Sequence, residues 1–136
     1  MATDSLTRLL VVEDNEDDTF LLTRQLARAQ IDDCVTVIGN GLDALAFLKQ
    51  TSPLPLAVFL DLSLPGMSGI DVLKEMKKEA SLQNLPVIVM TGSIRPTDMD
   101  ECTRLGVTAY LTKPIALSTF IKTVTDLFPK AATTTP

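Results

Sequence analysis

The sequence contains no histidine at all. It therefore cannot be a histidine kinase, a histidine phosphocarrier or a hydrolase built on a histidine base. Any phosphoryl chemistry must run on carboxylate, hydroxyl or lysine groups. Cysteine is scarce: Cys34 and Cys102 form no metal-ligand spacing. They read as buried, reduced thiols of a cytoplasmic protein. Long hydrophobic runs are missing, and none approaches the ~18 residues of a membrane-spanning helix. The first eight residues, Met1 to Arg8, are mostly polar, so no signal peptide is expected. Positive charge is in deficit, since 12 Lys and Arg against 17 Asp and Glu leave a net −5. That balance argues against a nucleic-acid surface and against docking on anionic lipid.

What is present fits one ordinary globular domain. The chain has 136 residues, 46% hydrophobic and 21% charged. A chain of this size buries roughly 65–70% of its unfolded surface and needs no disulfide or structural metal to fold. Five short apolar runs stand out: 9–12, 35–38, 56–60, 87–90 and 107–111. Their continuous, often β-branched character predicts strands buried on both faces. Helical spacing lies between them. Phe20, Leu22, Leu26 and Ala29 suit a first helix, Leu42, Leu45 and Leu48 a second, and Ile70, Leu73 and Met76 a third. A fourth opens on Pro96, continues through Met99, Cys102 and Leu105, and stops at Gly106. A fifth places Phe120, Ile121, Val124, Leu127 and Phe128 on one face and ends at Pro129. The expected architecture is α/β, a (βα)5 doubly wound parallel five-stranded sheet with right-handed crossovers. Residues 1–6 read as an extension, 7–129 as the domain, and 130–136 as a disordered tail.

Chemistry collects after the apolar runs. The first is followed by Glu13-Asp14, the third by Asp61, the fourth by Thr91, and the fifth by Thr112-Lys113-Pro114. In an open α/β sheet, ligands bind outside the carboxyl ends of the strands. Three carboxylates, a hydroxyl and an ammonium should therefore converge. At an effective dielectric of ~20, two like charges 4 Å apart cost on the order of 4 kcal/mol. One lysine cannot neutralise three carboxylates, whereas a divalent cation can. An all-oxygen donor set suits Mg²⁺ better than zinc. A carboxylate beside that cation, a lysine and a hydroxyl can act as nucleophile in phosphoryl transfer and carry an acyl phosphate.

Four segments resemble the signature blocks of response-regulator receiver domains of two-component systems. They are Val11-Val-Glu-Asp-Asn15, Phe59-Leu-Asp-Leu-Ser-Leu-Pro-Gly-Met-Ser-Gly69, Val89-Met-Thr-Gly92 and Tyr110-Leu-Thr-Lys-Pro114, in matching order and spacing. The resemblance covers about residues 7–128. It implies a flavodoxin-like strand order 2-1-3-4-5, Asp61 as phosphoacceptor, and Mg²⁺ held by Asp14, Asp61, the backbone carbonyl of Ser63 and, through water, Glu13. It further implies that Lys113 pairs with the phosphoryl oxygens, that the Lys113-Pro114 bond is cis, and that Thr91 hydrogen-bonds the phosphoryl group. The resemblance also implies that Thr91 moves inward and that Tyr110 takes the space it leaves. The readout face would be the fourth helix, fifth strand and fifth helix, displaying Ile94, Met99, Tyr110 and Ile115. The phosphodonor would be a sensor histidine kinase or a phosphotransfer protein, and the same face could support a homodimer. The acidic run Glu16 to Asp18 and the segment 102–114 also resemble stand-alone regulators paired with phytochrome-type kinases. Ser63 and Ser93 stand where residues bordering the attacking water are often found, and Ser68 replaces a frequent aspartate.

Each residue also has a plainer reading. Asp14 or Asn15 could cap a helix, and Asp61 could belong to the turn carrying Pro65 and Gly66. Thr91 and Lys113, taken singly, are ordinary loop and surface residues. Tyr110 could be packing. Met67, Met76, Met90 and Met99 share no periodic face and read as filler. Glu16 to Asp18 reads as a solvated helix start. Only convergence lifts these residues above such readings. A haloacid-dehalogenase-type phosphatase would need a second aspartate where Ser63 stands. A degenerate receiver would have lost one of the acidic pair, the acceptor or the lysine. A flavodoxin would need a phosphate-binding loop where Glu13-Asp14-Asn15 stands.

Overall fold

The computed structural model describes residues 9–28, 35–92 and 95–127. Five strands and five helices alternate: β1 (Leu9–Val12), α1 (Glu16–Arg28), β2 (Val35–Ile38), α2 (Gly41–Gln50), β3 (Ala57–Asp61), α3 (Gly69–Lys78), β4 (Val87–Thr91), α4 (Pro96–Arg104), β5 (Ala109–Thr112) and α5 (Leu117–Leu127). The strands form one parallel sheet in the order β2-β1-β3-β4-β5. Sequence order reverses on either side of β1, so the crevice between the ends of β1 and β3 is the switch point.

Alternation along the strands divides the core. Leu10, Val12, Val58, Leu60, Val87 and Val89 pack toward α2, α3 and α4. Leu9, Val11, Ala57, Phe59, Ile88 and Met90 face the other way, against Leu26 of α1 and Phe120 of α5. The Phe59 and Phe120 rings stack with centroids 4.3 Å apart. With both faces covered, β1, β3 and β4 are buried at every position, which is why they read as unbroken apolar runs.

The helix ends follow local chemistry. Asn15 Oδ1 accepts the Asp18 N–H (2.9 Å) and caps α1. Asn40 accepts from Asp43 (2.8 Å) at α2, and Ser68 accepts from Asp71 (3.2 Å) at α3. Pro96 occupies the first turn of α4. Gly106, at φ 79°, closes α4. There the Gly106 N–H donates to Thr103 O and the Val107 N–H to Cys102 O, the paired bonds of a Schellman motif.

Several expectations need correction. Strand β3 begins at Ala57 and takes in Asp61 itself, which pairs with Met90. Strand β5 begins at Ala109, because Val107 is consumed in closing α4. Phe20 is 61% exposed, since the inward stripe of α1 runs through Leu22 and Leu26 and Phe20 lies off it. Leu42 is 69% exposed because Gly41, Ala44, Leu45 and Leu48 form the inward stripe of α2. Ile121 lies at the rim of its helix, 37% exposed. The expectations for Ala29, Cys34, Ser93, Ile94, Phe128, Pro129, the extension 1–6 and the tail 130–136 fall outside the described residues. Among the described residues, no helix is long and apolar enough to cross a membrane.

Candidate active site

Glu13 directly follows β1. Its N–H donates to Ile38 O (3.0 Å), continuing the ladder to β2, and its carboxylate Oε2 accepts the Asn15 N–H (3.1 Å). The side chain is buried whereas Asp14, next along, is exposed. Asp61, buried at the end of β3, accepts the Ser63 N–H on Oδ1 (2.9 Å). That bond folds the loop back under the carboxylate. Gly69 keeps the loop tight: a Cβ there would lie 2.4 Å from Asp61 O and 2.7 Å from Leu62 Cα. The Gly69 N–H donates to Leu62 O (3.0 Å). One oxygen each from Glu13, Asp14 and Asp61 lie within 4.8 Å of one another, a hard, all-carboxylate set suited to a divalent cation.

Lys113 follows β5. Its N–H donates to Thr91 O (2.7 Å), tying it to the end of β4, and the Lys113-Pro114 bond is cis. Its ammonium meets Glu13 Oε1 at 2.5 Å, Asp61 Oδ2 at 2.8 Å and Asp18 Oδ2 at 3.0 Å. Burial opposes the charge on Lys113, but the carboxylates of Asp61, Glu13 and Asp18 outweigh it and hold the ammonium well above its usual range. Burial pushes the Glu13 carboxyl up to about 7; Lys113 opposes that rise and nearby Asp61 adds to it. The site thus holds more negative charge than one lysine can neutralise.

Thr91 is buried at the end of β4. It borders a polar hollow of about 250 Å³ together with Ser63, Ser68, Arg95 and Asp98. Tyr110, on β5 beside Val89, is half-buried and packs against the core on the α4 side. Its hydroxyl is buried with no hydrogen-bond partner among the described residues. Burial raises its pKa, with Cys102 and Asp98 adding to the effect. Of the expected readout residues, Met99 is exposed, whereas Tyr110 and Ile115 are half-buried rather than displayed. Sequence reasoning missed Asp18. It stands at i, i+4, i+8 with Leu22 and Leu26, so the inward stripe of α1 could have revealed it. Glu16 and Asp17 are exposed, but Asp18 turns into the site.

A family model, the response regulator receiver domain, matches residues 9–125. The chain belongs to the response-regulator receiver family. Receivers serve two-component signalling, in which an aspartate accepts a phosphoryl group from a histidine kinase or phosphotransfer protein. Response regulator Rcp1 of Synechocystis sp. is 37% identical to this receiver over 121 residues, covering 85% of this chain and 82% of that protein. A solved Mn(2+)-bound form of response regulator Rcp1 matches with a TM-score of 0.74 and 34% identity over 97% of each chain. The phosphorylated cyanobacterial phytochrome response regulator RcpA matches with a TM-score of 0.76 and 30% identity over 96% of each chain. The sensory/regulatory protein RpfC of Xanthomonas campestris is 32% identical over 123 residues, covering 88% of this receiver but 16% of RpfC. Receivers of this kind are therefore also found within longer proteins.

Proposed function

We propose that Asp61 is the phosphoacceptor and that the receiver catalyses its own phosphorylation and dephosphorylation with Mg²⁺. The carrying observation is the Lys113 ammonium 2.8 Å from Asp61 Oδ2, beside the carboxylate cluster of Glu13, Asp14 and Asp61. In the forward step an Asp61 oxygen bonds to phosphorus while the phosphorus–nitrogen bond of a phosphohistidine donor breaks, and the imidazole keeps the electron pair. In hydrolysis a water oxygen bonds to phosphorus, the bond to Asp61 breaks, and a proton is released. A bound Mg²⁺ supplies charge neutralisation for the phosphoryl oxygens. Asp14, Asp61, the Ser63 carbonyl and, through water, Glu13 would hold it. Lys113 would pair with the phosphoryl oxygens, and the Thr91 hydroxyl would donate to one of them. Thr91 and Tyr110 then act as the switch that alters the α4, β5 and α5 face for partner binding or homodimerisation.

The Mn(2+)-bound Rcp1 and phosphorylated RcpA support this reading, and RcpA's phytochrome partnership supports a phytochrome-type kinase as donor. On this reading the regulator is cytoplasmic; among the described residues no helix is long and apolar enough to cross a membrane. The test is intact mass after incubation with acetyl phosphate. A gain of one phosphoryl group that requires Mg²⁺, is labile to alkali and is lost in Asp61→Asn supports the assignment. An Asp61→Asn variant labelled to the native extent overturns it. Sedimentation that stays monomeric with and without beryllofluoride would exclude the homodimer.

A further inference from the structure

A lysine ammonium has three N–H donors and no acceptor. In this site those donors meet three carboxylates: Glu13, Asp61 and Asp18. Two of the three, Glu13 and Asp61, also belong to the cluster that offers oxygens to a cation. Asp18 does not. It projects from the first turn of α1, where its own N–H is held by Asn15 Oδ1 at 2.9 Å. Its side chain is 43% exposed whereas that of Lys113 is 17% exposed, so it reaches the buried ammonium from the solvent side.

This asymmetry has a consequence during the reaction. Once Glu13 and Asp61 share their charge with a bound cation, and an Asp61 oxygen is bonded to phosphorus, both attract the ammonium less. Asp18 keeps its full charge. The lysine stem is long and flexible, so an acceptor fixed by a helix cap restricts where the ammonium points. We propose that Asp18 is a positioning residue, holding the Lys113 ammonium against the acceptor oxygen while the other two carboxylates are occupied. The inference rests on the assignment of Asp61 as acceptor.

The experiment is the rate of labelling by acetyl phosphate at saturating Mg²⁺, followed by mass. Asp18→Ala slows labelling about fivefold, the scale of one partly exposed charge-assisted hydrogen bond. Asp18→Asn, which keeps an acceptor oxygen at the same place, recovers part of that rate. In a Lys113→Ala background, Asp18→Ala has no further effect, because a residue acting through Lys113 has nothing left to position. Native-like or faster labelling by Asp18→Ala overturns the inference, as does a fivefold loss that persists without Lys113. A native chain that gains no phosphoryl group removes the acceptor assignment and this inference with it.

Discussion

Glu13 should make the metal-free protein less stable as the pH approaches neutrality. Its carboxyl is only 4% exposed. Burial, opposed by Lys113 and reinforced by Asp61, moves its pKa from 4.5 to about 7. An unfolded chain gives up this proton near the lower value, whereas the folded chain keeps it to the higher one. Between them the folded state binds more protons, so stability falls as pH rises. From about pH 5.5 to about pH 7 the loss is at most about 1.5 kcal/mol, or ~6 °C in Tm for a chain of this size. The sequence has no histidine, so no side chain with an ordinary pKa in that range masks the effect. Calorimetric melts of chelator-treated protein at the two pH values measure it, and Glu13→Gln should flatten the difference. A divalent cation such as Mg²⁺ near Glu13 favours the ionised carboxylate over the protonated one. It should therefore release protons at neutral pH and raise Tm there with increasing concentration. A metal-free Tm that climbs from the lower to the higher pH would refute the reasoning, and so would an unchanged pH response in Glu13→Gln.

Three further outcomes are expected. Gly69→Ala drives a Cβ into the backbone of Asp61 and Leu62; urea denaturation should show a loss of ~1–3 kcal/mol, and titration calorimetry weaker Mg²⁺ binding. Phe120→Ala removes a ring that is 1% exposed and stacked on Phe59, and should cost ~3–5 kcal/mol in the same urea assay. Tyr110→Phe deletes a buried hydroxyl with no partner among the described residues. It should leave stability unchanged or raise it by up to ~1 kcal/mol, and a clear loss on thermal melting would reveal a partner for that hydroxyl.

The strand positions were legible because a parallel sheet covered on both faces shows as continuous apolar runs, and β1 and β2 lie where the runs stand. The convergence of Glu13, Asp14, Asp61 and Lys113 was legible for a related reason. Each follows or ends a strand, and parallel strands bring their carboxyl ends to one edge. The side-chain direction of single apolar residues was less legible. Phe20 and Leu42 look like core in a periodicity count, but a glycine or an acid can occupy an inward position, as Gly41 and Asp18 do. Val107 has strand character yet closes α4, because Gly106 places its N–H on Cys102 O.

Sequence by itself thus determined the alternation of elements and the chemistry at the strand ends, both of which follow from local patterning and the direction of the chain. Only the tertiary structure decided that Asp18 shares Lys113 with Asp61. That ion pair joins residues 95 positions apart, through the packing of α1 against α5; the spacing along α1 shows that Asp18 faces inward but not which residue it meets.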